Sequence, residues 1–181
     1  MLSPGVPSLI NKMTSGMTIV ELVLTASVIG ILTGITSANF TNRYNDDRIR
    51  VGTKVLASWI NDQRKKSIQS SSTCSLRLDE ATSRIQFGDN LECLSAQDTF
   101  SFKNNIHDGG DLRIKLINST KEVFVSPRGT INKPLEDDIY FTIGISGSNA
   151  RPGCIKIIEP LGLVRIARQN SNSQCDFTSA Y

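Results

Sequence analysis

The sequence predicts an α+β protein in which one long N-terminal helix packs on an antiparallel β-sheet domain. Three observations support this fold class. A largely apolar run without charge extends from Leu22 to Asn42. Apolar residues then recur near helical spacing from Tyr44 to Ile68, with charged and polar residues between them. Beyond residue 73 the hydrophobic period changes to two, which is typical of strands.

Length and composition favour one globular domain with an appended segment. The chain has 181 residues, of which 39% are hydrophobic and 20% charged. This apolar fraction is enough for an ordinary hydrophobic core and is higher than that of a disordered chain. The formal net charge of +3 does not by itself indicate nucleic acid or anionic lipid as a partner.

The N-terminus combines a short leader with an apolar helix. Residues 1–16 are polar to mixed and carry one charge, Lys12. A stretch of about 20 apolar residues is enough to cross a bilayer as a helix. A conventional signal peptide has its small-residue cleavage site after the apolar core, whereas here the best small residue, Gly16, precedes it. Cleavage after Gly16 would therefore leave the helix on the mature protein.

Glu21 is the one ionisable residue near the start of this helix. A carboxylate in hydrocarbon costs about 2.5–3.5 kcal/mol even on lenient insertion scales, so a partner is expected. Cleavage after Gly16 would create an α-amino group on Met17, one turn before Glu21. In an assembled bundle, that amine and the Glu21 of a neighbour could neutralise one another.

The globular part is predicted to begin with the amphipathic half of the helix, residues 43–70, whose Trp59 is expected near the centre of its contact with the sheet. Strands are predicted at 74–78, 83–87, 99–102, 112–118, 122–126, 138–144, 154–158 and 163–167. The connections are short, with turn residues such as Pro127-Arg128-Gly129, so hairpins in an antiparallel sheet are expected. The two pairs of adjacent acids, Asp46-Asp47 and Asp137-Asp138, are interpreted as solvated turn residues.

Four cysteines indicate an exported domain with two disulfides. None forms a C-x-x-C, and the chain has a single histidine, His107, so metal-ligand spacing is absent and no metal is expected. Four cysteines allow three connectivities. The pairing Cys74–Cys93 with Cys154–Cys175 is favoured because each bond closes a short local loop.

Gly16 followed by MTIVELVLTASVIGIL resembles the cleavage and methylation motif of type IV pilins and type II secretion pseudopilins. The resemblance implies cleavage between Gly16 and Met17 by a prepilin peptidase, N-methylation of Met17, and Glu21 as the assembly glutamate. It also implies a type IV pilin-like fold, filament partners that are other pilins or pseudopilins, and an inner-membrane assembly platform. The predicted segments are the leader 1–16, a transmembrane and filament-core helix 17–42, and a globular domain 43–181 with a sheet at 73–169 and a C-terminal tail.

The stretches VFVSPRGTI, DIYFTIG and CIKIIEPLGLVRIAR resemble the sheet region of the GspH/FimT group of minor pseudopilins and minor pilins. In DNA-binding members of that group, a glycine and two arginines near the last strand contact DNA. The matching residues here are Gly162, Arg165 and, further on, Arg168, while Leu163 occupies the position of the first arginine. This resemblance therefore leaves a DNA-uptake subunit open as an alternative to a filament subunit without DNA contact.

The predicted location is the inner membrane, in a single pass with an exported C-terminal domain, and then a pilus or pseudopilus. Basic residues after the helix outnumber Lys12 before it, which by the positive-inside rule favours the opposite orientation; the disulfides and the resemblance favour export. A signal-anchored domain without a filament role also stays open. No catalytic motif such as G-x-S-x-G or a P-loop occurs, so neither an enzyme nor a cofactor is expected.

Overall fold

A computed structural model describes residues 16–88, 93, 98–117, 122–132 and 139–178, without the side chains of 34–39 and 132. The predicted leader lies outside the described residues except for Gly16, and so does the acidic pair Asp137-Asp138. The chain divides into two compact units, one ending at Asn39 and the other beginning at Phe40.

The described elements include two α-helices, one 3-10 turn (Gly109–Asp111) and ten strands. Helix α1 spans Ile19–Ser70 and α2 spans Phe102–Asn105. The strands are β1 (Cys74–Asp79), β2 (Arg84–Phe87), β3 (Asp98–Ser101), β4 (Leu112–Leu116), β5 (Glu122–Val125), β6 (Ile131–Asn132), β7 (Ile139–Ile145), β8 (Gly153–Ile158), β9 (Leu163–Gln169) and β10 (Cys175–Asp176). The predicted α+β class is confirmed, and a strand lies at each of the eight predicted positions.

The strands form two antiparallel sheets where the sequence predicted one. The first sheet has the order β3-β2-β1-β5-β6, and the second has the order β10-β9-β8-β7-β4. The division arises because β5 pairs with β1, whereas β4 pairs with β7. These pairings join strands far apart in sequence, which hydrophobic alternation does not specify.

The core lies between the sheets and the second half of α1. Residues at helical spacing on α1 are buried: Ile49, Thr53, Leu56, Ile60, Gln63 and Ser67. They face inward side chains from both sheets, including Phe100 and Phe141. Trp59 is only half-buried and packs against the edge of this cluster, with its ring centroid 5.3 Å from that of Phe100. The centre of the contact is therefore at Leu56 and Ile60, not at Trp59.

The β1–β2 turn covers the outer edge of β4. The Ser83 hydroxyl accepts a hydrogen bond from the Ile114 N–H at 3.4 Å, and the Glu80 carboxylate accepts one from the Leu116 N–H at 3.2 Å. An open strand edge is a template for pairing with another chain. These two side chains satisfy the edge amides of β4 and link the two sheets.

Two disulfides close local loops in the globular unit. They join Cys74 to Cys93 and Cys154 to Cys175, with Cα atoms 5.1 Å and 6.0 Å apart. The second bond fastens β10 to β8, and the chain that follows places Phe177 against Tyr140 at a ring-centroid distance of 5.8 Å. The described part of the C-terminal tail thus lies against one face of the second sheet.

The predicted turn at Pro127-Arg128-Gly129 is present and is held by α1. The Arg64 guanidinium donates a hydrogen bond to the Gly129 carbonyl at 2.7 Å. Gly129 has a φ of +75°, and a Cβ there would lie 2.7 Å from Ile68 Cδ1. Glycine is therefore favoured here by the positive φ, and a larger residue would also have to displace the end of the Ile68 side chain.

Candidate functional site

The predicted cleavage site lies in exposed, non-helical chain. Gly16, Met17 and Thr18 precede the first helical residue and are all exposed. Met17 has 61% of its surface accessible, and a Cβ on Gly16 would meet no atom within 4 Å. A peptidase needs access to the bond it cuts, so this exposed, non-helical chain is compatible with cleavage between Gly16 and Met17.

Thr18 caps the helix and places Glu21 in its first turn. The Thr18 hydroxyl accepts a hydrogen bond from the Glu21 N–H at 3.3 Å, and the Thr18 carbonyl accepts the Leu22 N–H at 3.1 Å. A carboxylate in the first turn also interacts favourably with the positive end of the helix dipole. The capping role of Thr18 was missed at the sequence level, although T-x-x-E before an apolar run is its recognised signature.

The first part of α1 exposes apolar side chains all round. Ten large hydrophobic residues between Met17 and Leu32 have between 49% and 83% of their surface accessible. The hydroxyls in this stretch bond to the helix's own carbonyls: Thr25 to Glu21, Ser27 to Leu24, and Thr33 to Ile29. These hydroxyls are thus satisfied within the helix, while the apolar side chains named above are left exposed by the part of the chain that the structure describes.

Within the part of the chain that the structure describes, no helix is both long enough and apolar enough to span a membrane. The predicted transmembrane segment 17–42 therefore stays a prediction.

Arg165 lies on the outward face of the second sheet. It is exposed, and it pairs across the strands with Lys156, which in turn pairs with Tyr140. The Lys156 ammonium is 5.2 Å from the centroid of the Tyr140 ring. Arg113 and Lys115 of β4 are exposed on the same face. The outward positions of the described strands of this sheet carry these basic residues and no Asp or Glu.

Arg168 is directed to the other face of the sheet, where it contacts α1. Its guanidinium lies 2.8 Å from the Asp46 carboxylate, as an ion pair rather than an aligned hydrogen bond. Both side chains are about one-third exposed. The interpretation of Asp46 as a solvated turn residue is wrong, because Asp46 lies in α1 and pairs with Arg168. The structure therefore does not bring Arg165 and Arg168 together on one surface.

Arg48 and Lys66 of α1 contact groups in the loops and strands of the globular unit. Arg48 contacts the Asp108 carbonyl and lies 3.6 Å from the Asp111 carboxylate. Lys66 pairs with Asp98 at 2.9 Å. Partial burial raises the pKa of Asp98, but Lys66 and the amide of Gln63 outweigh it and hold that pKa below its usual value. Among the described residues, no cluster of three or more His, Cys, Asp or Glu could hold a metal ion.

Comparison with known proteins gives structural similarity only. No family model matches the chain, and no curated protein matches it in sequence. The chain is similar in structure to the minor pseudopilin EpsH of the Vibrio cholerae type 2 secretion system, with 13% identity, a TM-score of 0.47, and coverage of 67% of this chain and 97% of that one. It is also similar to the type IV minor pilin FimU of Pseudomonas aeruginosa, with 16% identity, a TM-score of 0.49, and coverage of 76% and 96%. Both TM-scores lie below 0.5, so the likeness is one of chain path alone.

Proposed function

We propose that this chain is a minor pilin or pseudopilin subunit that assembles into a filament through its N-terminal helix. The observation that carries the proposal is the first part of α1, which is apolar on all sides, exposed, and charged only at Glu21. A helix that is hydrophobic all round is normally buried in a protein core or a membrane. Since the described residues leave this surface exposed, we infer that other copies or other subunits cover it in the filament.

The proposed mechanism begins with removal of the leader. A prepilin peptidase cuts between Gly16 and Met17, which keeps the apolar helix on the subunit and creates a new amine that is then methylated. The processed subunit stays anchored in the inner membrane by this helix until the assembly platform transfers it to the filament. There the Met17 amine and the Glu21 carboxylate of neighbouring helices neutralise one another and fix the register of the bundle.

The processing step is tested by mass spectrometry of the mature N-terminus after co-expression with a prepilin peptidase. We expect wild-type chains to begin at Met17 and to carry one additional methyl group. A Gly16→Leu variant should keep its leader, because the large side chain replaces the small residue at the cleaved bond.

Gly30→Leu is the matched control for that experiment, since Gly30 is also an open glycine in the N-terminal unit, where an added Cβ would meet no atom within 4 Å. It should be cleaved like wild type. An intact leader on the wild-type chain would exclude the prepilin assignment and favour a signal-anchored exported domain.

DNA binding is a second candidate function, favoured by one observation. The outward face of the second sheet carries Arg113, Lys115, Lys156 and Arg165 without an acidic residue at the outward strand positions described. Basic side chains on one face can contact successive phosphates, and the affinity is then strongly dependent on salt. In this proposal Arg165 would contact DNA, whereas Arg168 would stay with Asp46.

The DNA hypothesis predicts different effects for the two arginines. In a titration of the full chain with duplex DNA at several salt concentrations, Arg165→Ala should weaken binding and lower the slope of log K against log salt by about one. Arg168→Ala should leave that slope unchanged, because its guanidinium faces α1. Absence of binding at low salt, or an equal effect of both substitutions, would exclude this outward face as the DNA surface.

A further inference from the structure

A cleft of about 130 Å³ lies where the edges of the two sheets meet. Three chain segments form it: the β1–β2 turn, the start of α2, and the 3-10 turn Gly109–Asp111 before β4. Each segment brings one exposed basic side chain to the cleft. Arg84 follows the β1–β2 turn, Lys103 lies in α2, and Arg113 follows the 3-10 turn. The cleft therefore collects three cations from three separate parts of the chain.

The lining of the cleft lacks negative charge and includes a buried hydroxyl. None of the ten described residues that line it is Asp or Glu. Ser83 is 4% exposed, and its hydroxyl accepts the Ile114 N–H, so its proton can be donated to a ligand in the cleft. Ser83 also has a φ of +52°, an uncommon conformation for a residue other than glycine.

Gly109 permits the close approach that forms the cleft. A Cβ at this position would lie 2.4 Å from the Phe102 carbonyl oxygen, which belongs to α2. The Gly109 N–H also donates to the Ile106 carbonyl at 3.1 Å. Without a side chain at Gly109, the 3-10 turn packs directly on α2 and brings Arg113 to the same cleft as Lys103.

The neighbouring carboxylates are engaged with other groups. Asp79 accepts the Thr82 hydroxyl at 2.6 Å, which is the main reason that the pKa of Asp79 is lowered, with a smaller contribution from Arg84. Asp111 faces Arg48. Within the described residues, no ion pair involves Lys103 or Arg113. Lys103 also borders an adjacent pocket lined by Asp108 and Asp111, whose carboxylates contact Tyr44 and Arg48 respectively. Arg84 is shared with Asp79, and no described acid lines the cleft itself.

We propose that this cleft binds a small tetrahedral oxyanion of the phosphate type, held by Lys103 and Arg113 with support from Arg84 and Ser83. Guanidinium groups match the geometry of phosphate oxygens with paired N–H donors, and an ammonium adds a compact charge. The site lies in the globular unit, uses none of the residues of the proposed assembly element, and does not depend on the proposed filament function.

The test is an NMR titration of the 15N-labelled full chain in a non-ionic detergent. Sodium phosphate is compared with sodium chloride at matched ionic strength. We expect saturable shifts confined to the amides of residues 82–84, 101–103 and 109–113. A parallel titration with glycerol 3-phosphate distinguishes the source: tighter binding than phosphate indicates a phosphate ester as ligand, and tighter binding of phosphate indicates the free ion.

Lys103→Gln should weaken phosphate binding about tenfold, as expected for loss of one charge-assisted contact. Lys103 is preferred to Arg113 because Arg113 also belongs to the cationic outward face of the second sheet. Arg151→Gln, which removes the same charge from an exposed residue outside the cleft, should bind as wild type. No saturable shift with either ligand, shifts elsewhere in the chain, or equal losses in both variants would overturn the proposal.

Discussion

A Glu21→Gln chain should be cleaved normally and yet enter filaments at about one-hundredth of the wild-type level. In the proposed bundle, the Met17 amine and Glu21 neutralise one another at low dielectric. Removing one partner of a buried ion pair leaves the other charge uncompensated, which costs about 3–5 kcal/mol, and every 1.4 kcal/mol is a factor of ten. The measurement is the ratio of variant to wild-type subunit in sheared filaments, with processing checked by mass spectrometry.

Glutamine is chosen as the substitution because it removes the charge of Glu21 without removing its role in the first turn of the helix. It keeps the length of Glu21 and its ability to form hydrogen bonds in the first turn, so a loss with Gln reports the charge. Thr18→Ala is the matched control: it removes the hydroxyl that accepts the Glu21 N–H and leaves the carboxylate. Loss of an N-cap costs about 1 kcal/mol, which corresponds to roughly a fivefold decrease. Normal incorporation of Glu21→Gln would contradict the register mechanism.

The local elements of this fold were predictable from sequence, because each depends on a short pattern. Alternation in segments such as Leu112–Leu116 identified the strands, and helical spacing identified the buried stripe through Leu56 and Ile60. The two-residue strands β6 and β10 were not predicted, because a pattern with a period of two needs more residues to be recognised.

Pairings between distant parts of the chain were not predictable in the same way. The division into two sheets depends on β4 joining β7, and the edge of β4 is covered by Glu80 and Ser83 from a turn about 30 residues earlier. Similarly, nothing near Arg168 in the sequence indicates that Asp46 is its partner. Burial and pairing of such residues are properties of the tertiary structure.

The processing and assembly roles of the candidate site stay predictions, and part of its local geometry was missed. Gly16, Met17 and Glu21 follow from the position of a small residue before an apolar run and from one acid within it. The capping role of Thr18 was predictable from the sequence, since a threonine three residues before a glutamate is typical of a capping box. The oxyanion cleft had no such signal, because Arg84, Lys103 and Arg113 meet only through the contact between the two sheets.

Phe100→Ala should lower the free energy of unfolding by about 3–5 kcal/mol, the usual cost of removing a buried aromatic side chain. Phe100 has no accessible surface and lies between two aromatic neighbours, with ring centroids 5.3 Å from Trp59 and 5.1 Å from Phe102. It therefore connects β3 both to α1 and to α2. The loss is measured by urea unfolding of the full chain in detergent, with circular dichroism and the fluorescence of Trp59 as independent probes.

Phe124→Ala is the control of the same residue type, because Phe124 lies on the outward face of the first sheet and is 38% exposed. Its replacement should cost less than about 1 kcal/mol, as is usual at surface positions. Equal losses at the two positions would show that α1 does not pack on the sheets through the Trp59–Phe100–Phe102 cluster. If only Phe100→Ala lowers the free energy of unfolding, the contact of Phe100 with Trp59 and Phe102 contributes directly to the stability of the globular unit.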